Sequence, residues 1–400
     1  MKKREFDLSV VLKRPALLLW CAFVFLEPFY VLPSGLPQPG DVLVLLLIPV
    51  TIYGWNGRLN KHLARPIRPL LWLTVWVFLI DYGWAIIIGK WTMLKAYTIF
   101  PLYYVFNAAI FISVLVLFQR FGKVVLRMTI TCLFVAIGVQ VTVALAGRGH
   151  AFREAVFFNN ANQLGYYALL AASMIAMSQR ELKFSLLKAS LGLTGCAYLA
   201  LISGSRSAVA GIAILFVLLV FSNPRVIVAA SIAAVVLMTL GPVSQALDHV
   251  SQRVNRQRHY TFAEERGYDR IWKYKEYMII GAGEGDVDRF NTRPHQHGLE
   301  IHSSFATVLF SYGIVGFTLF LWFIIRVVRG SSFRLGIMLL PTLTHTAAHQ
   351  GMRFTMLWVF LGFFVALKYV ASQEAKPKAP ITSPELPIAH ALAAAEPIPI

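Results

Sequence analysis

The sequence predicts an all-α polytopic membrane protein with about 12 transmembrane helices and one large loop subdomain outside the membrane. Of its 400 residues, 57% are hydrophobic and only 14% are charged. Apolar stretches of roughly 15–22 residues recur along most of the chain, and a helix of that length crosses a lipid bilayer. A soluble protein would need helices that are apolar on every face, so the composition disfavours that class.

The first predicted span is an uncleaved helix, because the basic N-terminus leads into an apolar stretch with no small-residue cleavage site after it. Basic residues in the short loops then place the N-terminus and alternate loops in the cytoplasm. The long apolar run 191–221 is divided at Ser203-Gly204-Ser205, because small and polar residues favour a break that lines a cavity. If this run were one span, every later segment would change sides. The predicted spans are approximately 15–33, 40–54, 69–88, 97–118, 128–146, 163–178, 189–203, 207–221, 226–241, 302–325, 335–349 and 353–370.

This topology assigns residues 1–241 to transmembrane helices 1–9, residues 242–301 to the large outer loop, and residues 302–370 to helices 10–12. Residues 371–400 are rich in proline and alanine and are predicted to be a disordered cytoplasmic tail. Within the loop, Phe262–Ile280 is predicted to form one amphipathic helix in the membrane interface. The three cysteines lie within predicted spans, which indicates buried thiols rather than disulfides.

Arg206 is the most informative residue, because a permanent cation within an apolar run is costly in a membrane and requires an anionic partner. Other arginines occur on the predicted outer face, where the charge rule disfavours them. An arginine fork matches the geometry of phosphate, although surface ion pairs with nearby acids remain an alternative for any one of them. These outer arginines are Arg148, Arg153, Arg206, Arg253, Arg256, Arg258, Arg266, Arg270, Arg289, Arg293 and Arg353.

The net charge of +18 has a simpler origin than nucleic-acid binding. The charges are dispersed among short loops, where they suit anionic lipid on the cytoplasmic side, and no nucleic-acid-binding module is present.

Several local motifs follow one another in a fixed order. They are Phe158-Asn159-Asn160-Ala161-Asn162-Gln163-Leu164-Gly165-Tyr166, Ser203-Gly204-Ser205-Arg206-Ser207-Ala208, Tyr268-Asp269-Arg270-Ile271-Trp272, Ile280-Gly281-Ala282-Gly283-Glu284-Gly285, His302-Ser303-Ser304-Phe305 and Tyr312-Gly313-Ile314-Val315-Gly316. Over about residues 155–325 this series resembles the O-antigen ligase and O-antigen polymerase superfamily. That family often has His-Asn where this chain has His302-Ser303, so a role is carried over for the histidine only.

The resemblance implies a membrane-embedded, metal-independent glycosyltransferase in the bacterial inner membrane, with residues 242–301 as a periplasmic loop subdomain and the active site facing the periplasm. In this family a glycan on undecaprenyl pyrophosphate passes to a lipid or glycan acceptor. The acceptor is lipid A–core in ligases and another lipid-linked repeat unit in O-antigen or exopolysaccharide polymerases. The single large loop favours a ligase. A transporter or flippase of a lipid-linked anionic glycan is an alternative of another class, because arginines beside a broken helix also suit transport.

The resemblance places the pyrophosphate at Arg206 and Arg270, with His302 close by. The residue types fit, because arginine stabilises the charge that develops on a leaving pyrophosphate but cannot act as a base. His302 is the candidate base, and nearby cations should lower its pKa; a packing role is its alternative. Further substrate-binding candidates are Asn162, Arg153, Arg266, Gly283 and Arg289. Helix capping is the alternative role for Asn162, turn formation for Gly283 and surface ion pairs for the arginines.

No cofactor and no metal are expected. Asp286-Val287-Asp288 resembles the metal-binding acids of nucleotide-sugar glycosyltransferases, but nucleotide sugars are not expected outside the cell. His345 and His349 have the i,i+4 spacing of zinc ligands, but no glutamate lies between them as in His-Glu-x-x-His. His295 and His297 carry no stronger signal. Polar lining of a cavity mouth is the simpler interpretation of these histidines.

Overall fold

A computed structural model describes residues 14–33, 36–53, 55–89, 94–147, 153–222, 261–290 and 300–375, with a few isolated positions between 225 and 235. Throughout these ranges the regular structure is helical and no strand occurs, which confirms the all-α class. Most of the predicted ninth span, 226–241, lies outside the described residues, as do Arg148, Arg253, Arg256, Arg258, Arg293, His295, His297 and the tail after residue 375.

The described helices are numbered here in chain order. They are α1 (Pro15–Leu26), α2 (Pro39–Tyr53), α3 (Lys61–Ala64), α4 (Ile67–Ile88), α5 (Leu94–Phe121), α6 (Lys123–Ala146), α7 (Ala161–Glu181), α8 (Leu186–Ile202), α9 (Arg206–Ser222), α10 (Phe262–Glu265), α11 (Asp269–Lys273), α12 (Tyr277–Ile280), α13 (Ser304–Val328), α14 (Phe333–Ile337), α15 (Leu340–Ala348) and α16 (Thr355–Glu374), with a 3₁₀ turn at Val287–Phe290.

Within the described ranges, five helical segments are long and apolar enough to cross a membrane. They are Lys61–Ile88, Tyr97–Phe121, Lys123–Ala146, Ser304–Val328 and Thr355–Glu374. The helices α1, α2, α8 and α9 are also apolar but shorter. A multi-pass helical membrane protein is therefore supported, while the number of about 12 spans stays a prediction.

Two predicted helices are wrong in detail. The stretch Phe262–Ile280 is not one amphipathic helix but three short ones, α10 to α12. Gly267 adopts a φ of 68° after α10, a left-handed conformation that ends a helix. The predicted span 335–349 is likewise divided into α14 and α15, and its main helix has only 9 residues.

Helix α7 forms the centre of the bundle and packs against α6, α8, α9, α15 and α16. Its side chains are buried from Leu164 to Met177, and the alanines among them allow neighbouring helices to approach closely. The start of this central helix therefore has a defined position relative to the neighbouring helices.

A kink in α13 receives the chain that follows α12. Gly313 has a φ of 66° inside the helix, which frees the carbonyl oxygens of the preceding turn. The N–H groups of Ala282 and Gly283 donate to the carbonyls of Phe310 and Ser311, at 2.9 and 2.7 Å. Gly281 approaches so closely that a Cβ there would overlap the Ser311 carbonyl. The glycine motif that begins at Gly281 therefore packs directly against the glycine kink at Gly313.

The two ends of α16 mark opposite poles of the helical bundle. Arg353 precedes α16, whereas Glu374 at the other end of α16 pairs with Lys123. A helix of 20 residues separates the two ends by about 30 Å. Lys123 belongs to a basic loop predicted to be cytoplasmic, so Arg353 and its neighbours lie at the pole opposite that loop.

Candidate functional site

A cavity of about 220 Å³ lies at the pole opposite the basic loops. Its lining residues come from segments that are distant in sequence: Asn162, Ser205, Arg206, Ser207, Glu265, Arg266, His302 and His349. Asn162, Arg206, Arg266 and His302 are residues that the sequence analysis selected. The fold thus brings two guanidinium groups and a candidate base to one cavity.

The break between α8 and α9 presents Arg206 to this cavity. Gly204 has a φ of 59°, and the Ser203 hydroxyl donates to the Ala200 carbonyl at 2.7 Å, which closes the end of α8. The Ser205 N–H donates to the Ser203 hydroxyl oxygen at 3.2 Å. Arg206 is half-buried rather than sealed among apolar side chains as its place in the sequence suggested. The predicted break is confirmed.

Asn162 is available to the cavity because another residue caps α7. The side chain of Asn160 accepts the Asn162 N–H at 2.8 Å, so the capping role considered for Asn162 belongs to Asn160. The Asn162 side-chain oxygen accepts a hydrogen bond from Arg153 at 2.6 Å. Arg153 also donates to the Ser203 carbonyl at 3.3 Å. Arg153 therefore joins the start of α7 to the α8–α9 break and does not itself line the cavity.

Arg266 ties the site together through its backbone and its side chain. The His302 N–H donates to the Arg266 carbonyl at 3.0 Å, and the Arg266 guanidinium donates to the Ala348 carbonyl at 2.8 Å. The hydroxyl of Tyr268 donates to the His302 carbonyl at 3.0 Å. These hydrogen bonds fix the relative positions of the segment after α10, the entry to α13 and the end of α15.

His302 has a defined tautomer. Its Nδ1 lies 2.8 Å from the Glu300 carbonyl oxygen, which can only accept, so Nδ1 carries the proton. In the neutral ring Nε2 then holds the free electron pair. Burial lowers the pKa of His302, and the charges of Arg266 and Arg270 lower it further against the opposing effect of Glu300. The ring is therefore neutral over a wider pH range than an exposed histidine.

Arg270 lies beside the site but not on the cavity wall. It is 2% exposed, within α11, which differs from the interfacial position that the sequence predicted. Burial lowers its pKa, while the charges of Asp269, Asp288 and Glu300 raise it. Its charge acts on His302 through the electrostatic effect described above.

Gly283 and Arg289 pack against helices α4 and α5. A Cβ on Gly283 would lie 2.9 Å from the Asp81 carboxylate. The Arg289 guanidinium donates to the Tyr97 hydroxyl at 3.1 Å and lies 4.5 Å from the centre of the Phe290 ring. It also donates to the Ala282 carbonyl. Neither residue is among those that line the cavity, so the structure gives both of them packing partners and leaves their predicted substrate contacts untested.

A buried ionic network was missed by the sequence analysis. Asp81 and Glu284 are 0% and 3% exposed, and the Tyr312 hydroxyl lies within 3.3 Å of both carboxylates. Arg353 pairs with Glu284 and with Glu300. Asp81 could have been noticed, because an acid inside an apolar span is rare without a partner or a function.

A row of aromatic rings continues from the cavity into the core. His302 and His349 have ring centroids 6.2 Å apart, and His345 stacks on His349 at 5.1 Å and on Tyr166 at 4.1 Å. His345 is 2% exposed. Across the described ranges, no group of three or more His, Cys, Asp or Glu side chains is placed to hold a metal ion.

Comparison with known families gives a match over part of the chain. Residues 191–321 match the model of the family described as O-Antigen ligase. The matched range includes the α8–α9 break with Arg206, the short helix with Arg270 and the entry to α13 with His302. No curated protein matches the chain. Over residues 191–321 the chain is therefore similar to the O-antigen ligase family, which confirms the resemblance to the O-antigen ligase and polymerase superfamily.

Proposed function

We propose that this protein is a glycosyltransferase of the bacterial inner membrane that transfers a glycan from undecaprenyl pyrophosphate to an acceptor hydroxyl at the periplasmic face. By analogy with the matched family, lipid A–core is the proposed acceptor. The observation that carries this proposal is the cavity that joins Arg206, Arg266 and a neutral His302 at the matched domain. Two fixed cations suit an anionic donor, and the histidine suits a hydroxyl acceptor.

The donor pyrophosphate would lie against Arg206 and Arg266. Arg206 is also the first residue of α9, and the N–H groups of a helix N-terminus favour an anion. The hydroxyls of Ser205 and Ser207 line the same wall and can donate further hydrogen bonds. Arg270 would add positive potential from its buried position behind His302.

The reaction would exchange one bond at the anomeric carbon of the sugar for another. The acceptor oxygen forms a bond to that carbon, while the bond from carbon to the pyrophosphate oxygen breaks and its electron pair leaves with the pyrophosphate. Nε2 of His302 takes the hydroxyl proton. Arg206 and Arg266 stabilise the additional negative charge on the leaving group, so no metal ion is required in this scheme.

The periplasmic assignment is supported by the two poles of the bundle. The cavity is opposite the pole where Lys123 pairs with Glu374, and basic loops of that kind favour the cytoplasm. Lipid-linked glycans presented for envelope assembly would therefore reach the cavity from the outer leaflet.

Transfer by the purified protein in liposomes would test the proposal. With a lipid-pyrophosphate-linked glycan and lipid A–core, wild type should produce the joined product, and Arg206→Ala should not. Arg334→Ala, which alters an exposed arginine in α14, is the matched control and should retain activity. Movement of the donor across the bilayer without a joined product would instead favour the transporter.

A deletion strain separates the two enzymatic alternatives. Loss of glycan from lipid A–core, with chains of normal length still on the carrier, supports the ligase. Accumulation of single repeat units on the carrier would favour the polymerase and contradict the proposed acceptor.

A further inference from the structure

Arg353 uses both edges of its guanidinium group in ion pairs. One edge donates from Nε to Glu284 Oε2 at 3.1 Å, and Nη2 donates to the same carboxylate. On the other edge, Nη1 lies 2.9 and 3.1 Å from the two carboxylate oxygens of Glu300. The group also lies 4.2 Å from the centre of the Phe100 ring. With both edges and one face engaged, the guanidinium group has a single defined orientation.

Glu284 connects this arginine to the rigid part of the bundle. Its N–H donates to Asp81 Oδ1 at 2.7 Å. Its Oε1 accepts from Tyr104 at 3.0 Å and from Tyr312 at 3.1 Å. These partners come from α4, α5 and α13, so Arg353 is attached to three helices through one buried carboxylate. Burial alone would lower the pKa of Arg353, but its carboxylate partners raise it above its ordinary value.

Glu300, unlike Glu284, has an exposed side chain. Its side chain is 40% exposed, and it begins the described segment that leads into α13. Its carbonyl oxygen accepts the Nδ1 proton of His302 at 2.8 Å. The ion pair with Arg353 fixes the side chain of the residue that carries this carbonyl.

We propose that Arg353 is a positioning residue, which holds Glu300 so that the Glu300 carbonyl keeps the Nε2 of His302 directed for the transfer reaction. This inference rests on the proposed function and extends it outside the matched domain, because Arg353 lies beyond residue 321. Arg353 does not line the cavity and acts on the acceptor only through His302. The charged and titratable groups that act on His302 or line the cavity with it are Arg206, Glu265, Arg266, Arg270, Glu300 and His349.

Glu300→Ala is the decisive variant, because it removes the ion pair with Arg353 but leaves the backbone carbonyl and the Glu284–Arg353 pair in place. We expect kcat on the high-pH plateau to fall roughly 10- to 100-fold, as misplacement of a reacting group by about 1 Å can cause. The KM for the lipid-linked donor should stay within about twofold, since Glu300 does not line the cavity. Glu374→Ala removes an exposed carboxylate at the other pole and should leave kcat unchanged.

Arg353→Met should reproduce the loss of kcat, and Arg353→Lys should restore part of it. A higher donor KM in Arg353→Met would make this residue a direct ligand and overturn the proposal. An unchanged plateau kcat in Glu300→Ala, with only the acid limb displaced, would also overturn it. Such a result would mean that Glu300 acts on His302 by charge alone.

The tautomer of His302 provides a readout that does not depend on transfer activity. In ¹⁵N-histidine-labelled protein, the resonance that disappears in His302→Gln should show a protonated Nδ1 in wild type. Glu300→Ala and Arg353→Met should both introduce the other tautomer. If His302 stayed fully protonated at Nδ1 in both variants, Arg353 would not be a positioning residue. That conclusion would hold whichever reaction the protein catalyses. A tautomer change in a protein without transfer activity would refute the proposed function alone.

Discussion

Gly165 of α7 faces Ser203 so closely that a Cβ on the glycine would lie 2.6 Å from the serine hydroxyl oxygen. The same Cβ would lie 3.0 Å from the Cβ of Ser205. The central helix thus touches the break that presents Arg206 to the cavity. Through this contact Gly165 influences the geometry of the cavity, although Gly165 does not line it.

Gly165→Ala should therefore impair transfer. Overpacking at such a contact costs about 1–3 kcal/mol, and the added methyl group would push α7 away from the break. We expect at least a tenfold loss of kcat/KM, measured on protein extracted from membranes at equal amounts. Gly138→Ala is the matched control, because Gly138 is an exposed position in α6 with no atom within 4 Å of the added Cβ. Equal activities of the two variants would contradict this account of the break.

The sequence was informative where the chain violates the ordinary rules of a membrane helix. Ser203-Gly204-Ser205 interrupts an apolar run, and a break is what such residues favour. Arg206 was selected as a permanent cation within that apolar run, and His302 was selected because the family resemblance places a histidine at the start of the predicted span after the large loop. The cavity brings both together, because their segments end at the same pole of the bundle.

Prediction failed where tertiary contacts decide the structure. The pattern of Phe262–Ile280 suits one amphipathic helix in the membrane interface, but Arg270 is buried and Gly267 ends the first short helix. No sequence pattern indicated the aromatic rings that pack around Arg289. The partners of Arg353 come from segments far away in the chain, and no spacing rule could reveal them.

Alanine at Arg206, Arg270 or His302 should abolish transfer by different routes. Loss of Arg206 removes a cation from the cavity wall, and loss of His302 removes the base. Loss of Arg270 removes positive potential from a buried position. We expect each variant to lose at least 100-fold in kcat while it still inserts into the membrane, as quantified by blotting. Wild-type rates in any two of them would exclude the cavity as the active site.

The pH dependence of transfer should report the neutral form of His302. Its pKa is lowered below the ordinary value near ~6.5, so the active neutral form persists as the pH falls through that value. Activity should then decline only at lower pH, as the ring becomes protonated. Arg266→Met removes a charge that lowers this pKa, so the acid limb of kcat/KM should move to higher pH. Arg334→Met should not displace it, and an unmoved limb in Arg266→Met would contradict the electrostatic coupling.

Gly313→Ala should destabilise the protein. The glycine has a φ of 66°, and an added Cβ would overlap the Ile279 carbonyl oxygen, so both the backbone conformation and the contact oppose any other residue. We expect a loss of roughly 2 kcal/mol or more, read as a lower unfolding temperature in detergent. Gly83→Ala lies within α4 with open space around the added Cβ, and it should be neutral or slightly stabilising. If both variants unfold at the temperature of wild type, the kink is not required.

Transfer should continue after treatment with a chelator. Arg206 and Arg266 already supply positive charge to the cavity, and Glu265 is the carboxylate among its lining residues. A divalent cation at that position would be repelled by two guanidinium groups and held by too few oxygen ligands. Rates measured before and after EDTA, followed by dialysis, should agree within about twofold. A loss that added Mg²⁺ or Mn²⁺ reverses would contradict this scheme and direct attention to Asp286 and Asp288, the paired acids outside the cavity.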